Sequence, residues 1–329
     1  MKLGIIVALL IGASGPILRA QERASEATAI EARFREIGLS YKTFPLNDPR
    51  FPELAIDLRE TGVKDLAFLR SLRVQALCLD NNAISDLSIL SGMPLIWLQV
   101  FNTKVRDLAP LRGCPLKYLN ISNTDVTNLA PLAGLKIEAL AMGNTAIQNL
   151  APLKGMPLTA LNIEQTSVAD LSPLKGMRLR SLLLDGTKVT DLSPLSGMPL
   201  EGLNLGELEI RSLTPLKGMT LTSLSVSSPA ITDLTPLSGM PLKSLGIRGS
   251  GVSDLSALQG MPLESLFLSA DRAYKGMKVI RAMNTLTVID NGGHPERSRC
   301  MSAEEFWKEY DAKQAERLLD GDGERAPEP

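Results

Sequence analysis

The chain has 329 residues, of which 57 are Leu and only 13 are aromatic. Its core is therefore built by repeating one aliphatic side chain rather than by fitting varied shapes together. Lys and Arg number 35 against 36 Asp and Glu, a formal net charge of −1, so no overall cationic excess exists for a phosphate backbone and nucleic acid is not expected as a partner.

The N-terminus reads as an export signal. Met1-Lys2 gives a short positive start, and Leu3 to Ile11 is apolar apart from Gly4 before Ala13-Ser14-Gly15-Pro16 breaks the run. A bilayer span needs about twenty apolar residues, so residues 1–20 are expected to be a cleavable signal peptide, cut after Ala20. No Cys follows the run to carry a lipid, and no transmembrane segment is expected after cleavage. The mature chain should be exported to the periplasm, the cell surface or the medium.

One unit recurs every 21 residues from Glu53 to Leu263, as in LTALNIEQTSVADLSPLKGMR at Leu158 to Arg178. Numbering each unit 1 to 21, positions 3 to 7 alternate outward and inward, the mark of a strand with one buried face. Position 13 is Asp, Asn or Ser, suited to capping a helical turn. Leu-x-Pro-Leu follows, with Pro in the first turn, where a missing N–H costs little. Position 19 is Gly in nine of ten units, fitted to a left-handed turn that ends the helical segment. Apolar residues at positions 1, 4, 6, 11, 14, 17 and 20 face inward. A lone unit buries too little to offset the entropy of ordering its backbone, so stacking on neighbours is required. Strands should then align in parallel about 4.8 Å apart, on the concave side of a curved sheet, with the short helical turns on the convex side.

Leu-x-x-Leu-x-Leu followed by Asp-Leu-x-Pro-Leu resembles the leucine-rich repeat, in the short, strictly repeated bacterial form related to the internalins. The resemblance covers residues 53–268 in eleven units, the last degenerate. It implies an α/β solenoid: a curved parallel β-sheet, 3-10 or helical turns on the convex side, and helical caps at both ends. It also implies a binding surface for another protein on the concave face. One departure is plain. The family's ladder residue at position 9 is usually Asn, whereas here it is mostly Thr, as at Thr61, Thr103, Thr124, Thr145, Thr166 and Thr187. A hydroxyl bonds backbone groups less completely than an amide.

Residues 21–52 should form an N-terminal helical cap, with Ala29, Ile30, Phe34 and Ile37 on one helix face. Residues 269–320 should form the C-terminal cap. There Lys275 to Met283 reads as a helix and Leu286-x-x-Ile289 as a last strand-like echo. Ser302-Ala-Glu-Glu305 is a capping box opening a helix that carries Phe306, Trp307 and Tyr310. Residues 321–329 are too polar to pack and should be disordered.

Little here points to chemistry. The single His294 sits in a loop outside the array with no nucleophile elbow nearby, so no catalytic residue is assigned and an enzyme is not expected. One His and no Cys-x-x-Cys pair leave no usual metal-ligand set. The Asp row at position 13 could suggest calcium, but each member has its own turn to cap; neither metal nor cofactor is expected. Cys78, Cys114 and Cys300 fall in different places of the repeat frame, and three free thiols are expected. Outward positions 3, 5 and 7 are small and polar over most units, but Trp97, Gln99, Phe101 and Tyr118 form a large, planar cluster. Trp97 and Tyr118 share position 3 on adjacent strands, so their rings should touch. Exposed aromatic clusters mark binding surfaces; the alternative is that the rings simply shield each other. The expectation is a monomeric, exported, non-enzymatic scaffold that binds a protein or peptide through this patch. The alternatives are a structural spacer without a ligand and a carbohydrate-binding surface protein.

Overall fold

The computed structural model describes residues 42–43, 54–269, 272–292 and 300–319. The expected signal peptide, the helix of the N-terminal cap, His294 and the tail at 321–329 lie outside them. The chain divides into two compact units, Met1–Ser181 and Leu182–Pro329.

The first unit holds β1 (Lys42–Thr43), β2 (Leu54–Asp57), β3 (Val74–Cys78), β4 (Trp97–Gln99), β5 (Tyr118–Asn120), β6 (Ala139–Ala141) and β7 (Ala160–Asn162). β1 runs antiparallel to β2; the sequence reading assigned no strand there. From β3 to β7 neighbours are parallel at a constant offset of 21, as in Trp97 with Tyr118 and Tyr118 with Ala139. β8 (Ser181–Leu183) straddles the division. The second unit continues with β9 (Gly202–Leu205), β10 (Ser223–Val226), β11 (Ser244–Gly246), β12 (Ser265–Phe267) and β13 (Val288–Asp290). The same offset of 21 holds from β9 to β12, and β13 pairs with β12 at an offset of 23, where the expected echo stands. In each unit the strands follow chain order, and β2 to β13 are the twelve parallel strands among the described residues.

The inward positions behave as read. In the unit starting at Leu158, residues Leu158, Leu161, Ile163, Val168, Leu171, Leu174 and Met177 are all buried. Between strands the chain makes a single 3-10 turn, such as Ala151–Leu153 or Ser172–Leu174. The turn closes on two bonds to the residue three back, Leu153 N–H to the Leu150 carbonyl at 2.9 Å and Lys154 N–H to the Ala151 carbonyl at 3.2 Å, and no α-helix propagates. Position 13 caps the turn from outside. The Asp170 carboxylate accepts from the Ser172 N–H and hydroxyl, both at 2.8 Å, which holds it below the usual carboxylate range. Gly155 at position 19 takes φ +74°, a conformation that side chains with a Cβ resist.

The polar ladder departs from expectation. Apart from Thr187, whose buried hydroxyl has no partner among the described residues, the Thr hydroxyls at position 9 bond only their own strand end: Thr166 donates to the Ile163 carbonyl at 2.7 Å and Thr145 to Met142 at 2.7 Å. Asn82, the one amide in that place, reaches the preceding repeat, donating to Leu58 O at 2.7 Å and accepting from Gly62 N–H at 2.9 Å. A second row of amides stands one residue earlier. Asn81, Asn102, Asn123 and Asn144 adopt left-handed φ of 52–58°, which Asn tolerates better than most residues. Their side chains link repeats, Asn102 to Asn81 at 2.8 Å and Asn144 to Asn123.

At the far end, α1 (Met277–Arg281) is shorter than the sequence suggests. Lys275 forms a parallel bridge with Asp254, and Gly276 turns left-handed at φ +83° immediately before the helix. α2 (Ala303–Leu319) opens on the expected capping box: Glu305 N–H donates to the Ser302 hydroxyl at 3.2 Å, and Ser302 N–H to the Glu305 carboxylate at 3.0 Å. Phe306 is buried against Trp307 and Tyr310. Arg281 forks onto Asp311 at 2.6 and 2.8 Å beneath the Trp307 ring, tying α1 to α2.

Leu150→Ala, at a position only 1% exposed, should lower the urea-unfolding free energy by about 3 kcal/mol, and Asp170→Ala by about 1 kcal/mol. Cys78 and Cys114 are buried and Cys300 is exposed, all as free thiols. Thiol titration without reductant should therefore find one fast group in the native protein and three after unfolding.

Candidate functional site

The cluster picked from the outward positions lies in the first unit, on the sheet face opposite the leucine core. β4 and β5 are adjacent and in register, which sets Trp97 beside Tyr118. Their rings stack at 3.6 Å between centroids and 13° between planes. Gln99 ends β4, Phe101 lies in the turn just after it, and both are half-buried.

Of the two readings, exposed rings or rings that shield each other, the structure has the second. Trp97 is 8% and Tyr118 7% exposed. Each ring covers a face of the other, and the position-3 alanines 55, 76, 139 and 160 join them with Cys78 in a second apolar cluster. Strand alternation gives the direction of a side chain, and direction is not exposure when a neighbour of the same size stands one strand away. Cys78 also points outward yet is buried, and burial pushes its thiol up to about 12. Cys78 is therefore a packing residue at neutral pH.

Beside the rings lies a charged group that the sequence reading passed over. Asp57 is buried and accepts a two-pronged bond from Arg59, at 2.6 and 2.8 Å, a geometry matched to the planar guanidinium. Asp80 is also buried, and its carboxylate accepts from Phe101 N–H at 2.8 Å. Burial raises the Asp80 carboxyl to about 6, with the Phe101 bond and the Arg59 charge pulling the other way. Burial raises the Tyr118 hydroxyl to about 12 and the Asp80 charge adds to the shift, with the nearby Gln99 and Asn120 side chains pulling the other way. Asp57 at position 5 and Arg59 and Asp80 at position 7 could have been found by extending the outward reading toward the start of the array. The site thus has a rigid aromatic floor, a polar middle of Gln99 and Asn120, and a rim of Arg59, Asp80 and Phe101.

In the second unit the corresponding face carries Phe267, with the Arg248 guanidinium 5.4 Å from its ring and bonded to Asp290 at 2.7 Å. That pair was also missed; Phe267 occupies position 5 and Arg248 position 7 of neighbouring repeats. Among the described residues no group of three His, Cys, Asp or Glu side chains is placed to hold a metal ion, and no helix is long and apolar enough to cross a membrane.

The Asp80 carboxyl has a stability signature. Its folded value near 6 lies above the ordinary one near 3.9. Between those values the folded state keeps a proton that the unfolded chain has released, so stability falls as pH rises through that window. Asp80→Asn keeps an acceptor for Phe101 N–H and removes the charge. The variant should be more stable than the parent by about 2 kcal/mol above pH 7 and indistinguishable from it at pH 4, as read by thermal unfolding.

No family model and no curated protein matches the chain. Solved structures do. An internalin (inlF) from Listeria monocytogenes aligns with 71% of this chain and 79% of its own at 24% identity and a TM-score of 0.60. Internalin C2 from the same organism aligns with 52% of this chain and 80% of its own at 27% identity and a TM-score of 0.50. The APL1 leucine-rich repeat domain covers 75% of each chain at 17% identity and a TM-score of 0.52. Parallel strands at a fixed 21-residue offset, single 3-10 turns between them and these neighbours lead to one conclusion: in fold, the chain is an internalin-like leucine-rich repeat solenoid.

Proposed function

We propose that the protein is an exported, monomeric, non-enzymatic scaffold that binds a protein or peptide through the strand face of its first unit, at Trp97, Gln99, Phe101 and Tyr118. The stacked pair carries the reading. Two large rings fixed on each other on the strand face form a stiff platform, and Phe101 and Gln99 at its margin keep surface for a partner. Rigid aromatic groups give contact area at little entropic cost, the usual make-up of an interface anchor. Leucine-rich repeat folds commonly serve protein binding, which supports the same class of function. The apolar run of residues 1–20 supports export. A spacer role draws on the second unit, whose position-3 residues Gly202, Ser223, Ser244 and Ser265 offer no anchor.

The test uses the half-buried members, because removing Trp97 or Tyr118 would also open the apolar cluster and lower stability. The mature chain is immobilised, and partners from the host envelope fraction are captured and identified by mass spectrometry. Phe101→Ala and Gln99→Ala should keep the parent melting temperature, and Phe101→Ala should weaken saturable capture roughly tenfold or more. Unchanged capture by both variants would remove the patch as the binding site, and no saturable capture by the parent would leave the spacer reading.

A further inference from the structure

The chain's net charge is close to zero, but its charges are not evenly spread. In the first unit positions 18 to 21, at the end of each 3-10 turn and just after it, carry seven cations. Arg70, Arg112, Lys154 and Lys175 occupy position 18; Arg73, Lys136 and Arg178 occupy position 21. All seven are exposed. None has a side-chain hydrogen-bond or ion-pair partner among the described residues. No Asp or Glu stands at these positions in residues 70–178. Elsewhere in the same unit Arg106 pairs with Asp125 at 3.1 Å and Lys117 with Glu138, while Lys64 and Lys104 stand singly at other positions of the repeat. In the second unit position 18 reads Ser196, Lys217, Ser238 and Gln259, a single cation.

The constant offset of 21 places equivalent residues one above another, so the cations form two parallel files with steps of one to three strand spacings of about 4.8 Å. Unpaired like charges in file repel one another, and the fold does not require them, since Ser serves at position 18 in other repeats. Arg70 and Arg73 also line an open cleft of about 640 Å³ with Ser88, Ser91 and Gly92. We infer that this edge of the first unit binds a linear acidic polysaccharide lying along the files. A linear polyanion presents charge at a regular rise, and Arg and Lys take sulfate or carboxylate groups at such spacing. Between the cations the residues are mainly Gly, Pro, Ser, Met and Leu, with no aromatic at these positions. The edge therefore lacks the Trp or Phe that seats a protein in lipid headgroups and the rings on which bases stack. It lies apart from the aromatic strand face and does not depend on what that face binds.

The full chain is titrated at low and high salt with heparin and with polygalacturonate, and in parallel with neutral dextran, duplex DNA and phosphatidylglycerol vesicles. Heparin, polygalacturonate or both should bind saturably, with affinity falling steeply as salt rises, and dextran should not bind. The quadruple substitution Arg70→Ser, Arg112→Ser, Lys154→Ser and Lys175→Ser should weaken binding roughly tenfold or more and flatten the salt dependence. The pair Arg70→Ser and Arg112→Ser should do so in part, which keeps the test open if the quadruple variant does not fold. A control that removes equal charge elsewhere, Lys64→Ser, Lys104→Ser, Lys188→Ser and Arg211→Ser, should bind nearly as the parent does. Loss in the control equal to that in the edge variant would mean net charge and no site. Absence of saturable glycan binding, or tighter binding to the vesicles or to DNA, would overturn the proposal.

Discussion

Everything in this chain depends on contact between one repeat and the next. A 21-residue unit with a three-residue strand and one 3-10 turn has no core of its own; its seven inward side chains meet the same seven of its neighbours. The parallel ladder at a constant offset keeps Leu above Leu, so apolar burial and backbone bonding are satisfied by the same register. A slip of one residue would turn the inward row outward and abolish both at once.

Other positions settle local costs that this stacking leaves behind. Asp170 and its equivalents occupy the N–H groups that open each turn, Gly155 and its equivalents allow the reversal after it, and the left-handed asparagines leave the strand on the other side. At the exposed end of the array the same logic requires a lid. α2 supplies it by burying Phe306 and setting Arg281 between Asp311 and Trp307. The strand face is where the repeat is free to vary, because its residues point away from the stack. Trp97 and Tyr118 use that freedom, and so do Asp80 and Arg248.

The architecture was legible because it is periodic: register, inward positions, turn caps and the capping box at Ser302 are stated many times over or in short self-contained motifs. What was hidden depends on pairs of residues distant in sequence. The burial of Trp97 follows from Tyr118 lying 21 residues on and from the alanines beside them, so alternation along one strand could not reveal it. The short strand at Lys42–Thr43 has no repeat to announce it. The role of Asn at position 8 was obscured by looking for the amide ladder at position 9, where the resemblance placed it. Asp80 escaped notice because an outward carboxylate on a sheet is ordinarily solvated, and only the packing around it raises its proton affinity.

The Thr hydroxyls at position 9 have a consequence for how such an array can change length. An amide there, as at Asn82, grips the repeat before it and must match that neighbour. A Thr closes on its own strand end and asks nothing of the next unit. At position 9 repeats of this kind are self-contained, and what joins them is interchangeable: aliphatic contacts, backbone and like-to-like asparagine pairs at position 8. A 21-residue segment duplicated or deleted in frame within the Thr-bearing stretch would find compatible partners on both sides. The array can therefore gain or lose length by copying, while a sequence tied together by position-9 amides would have to repair a bond at each new junction.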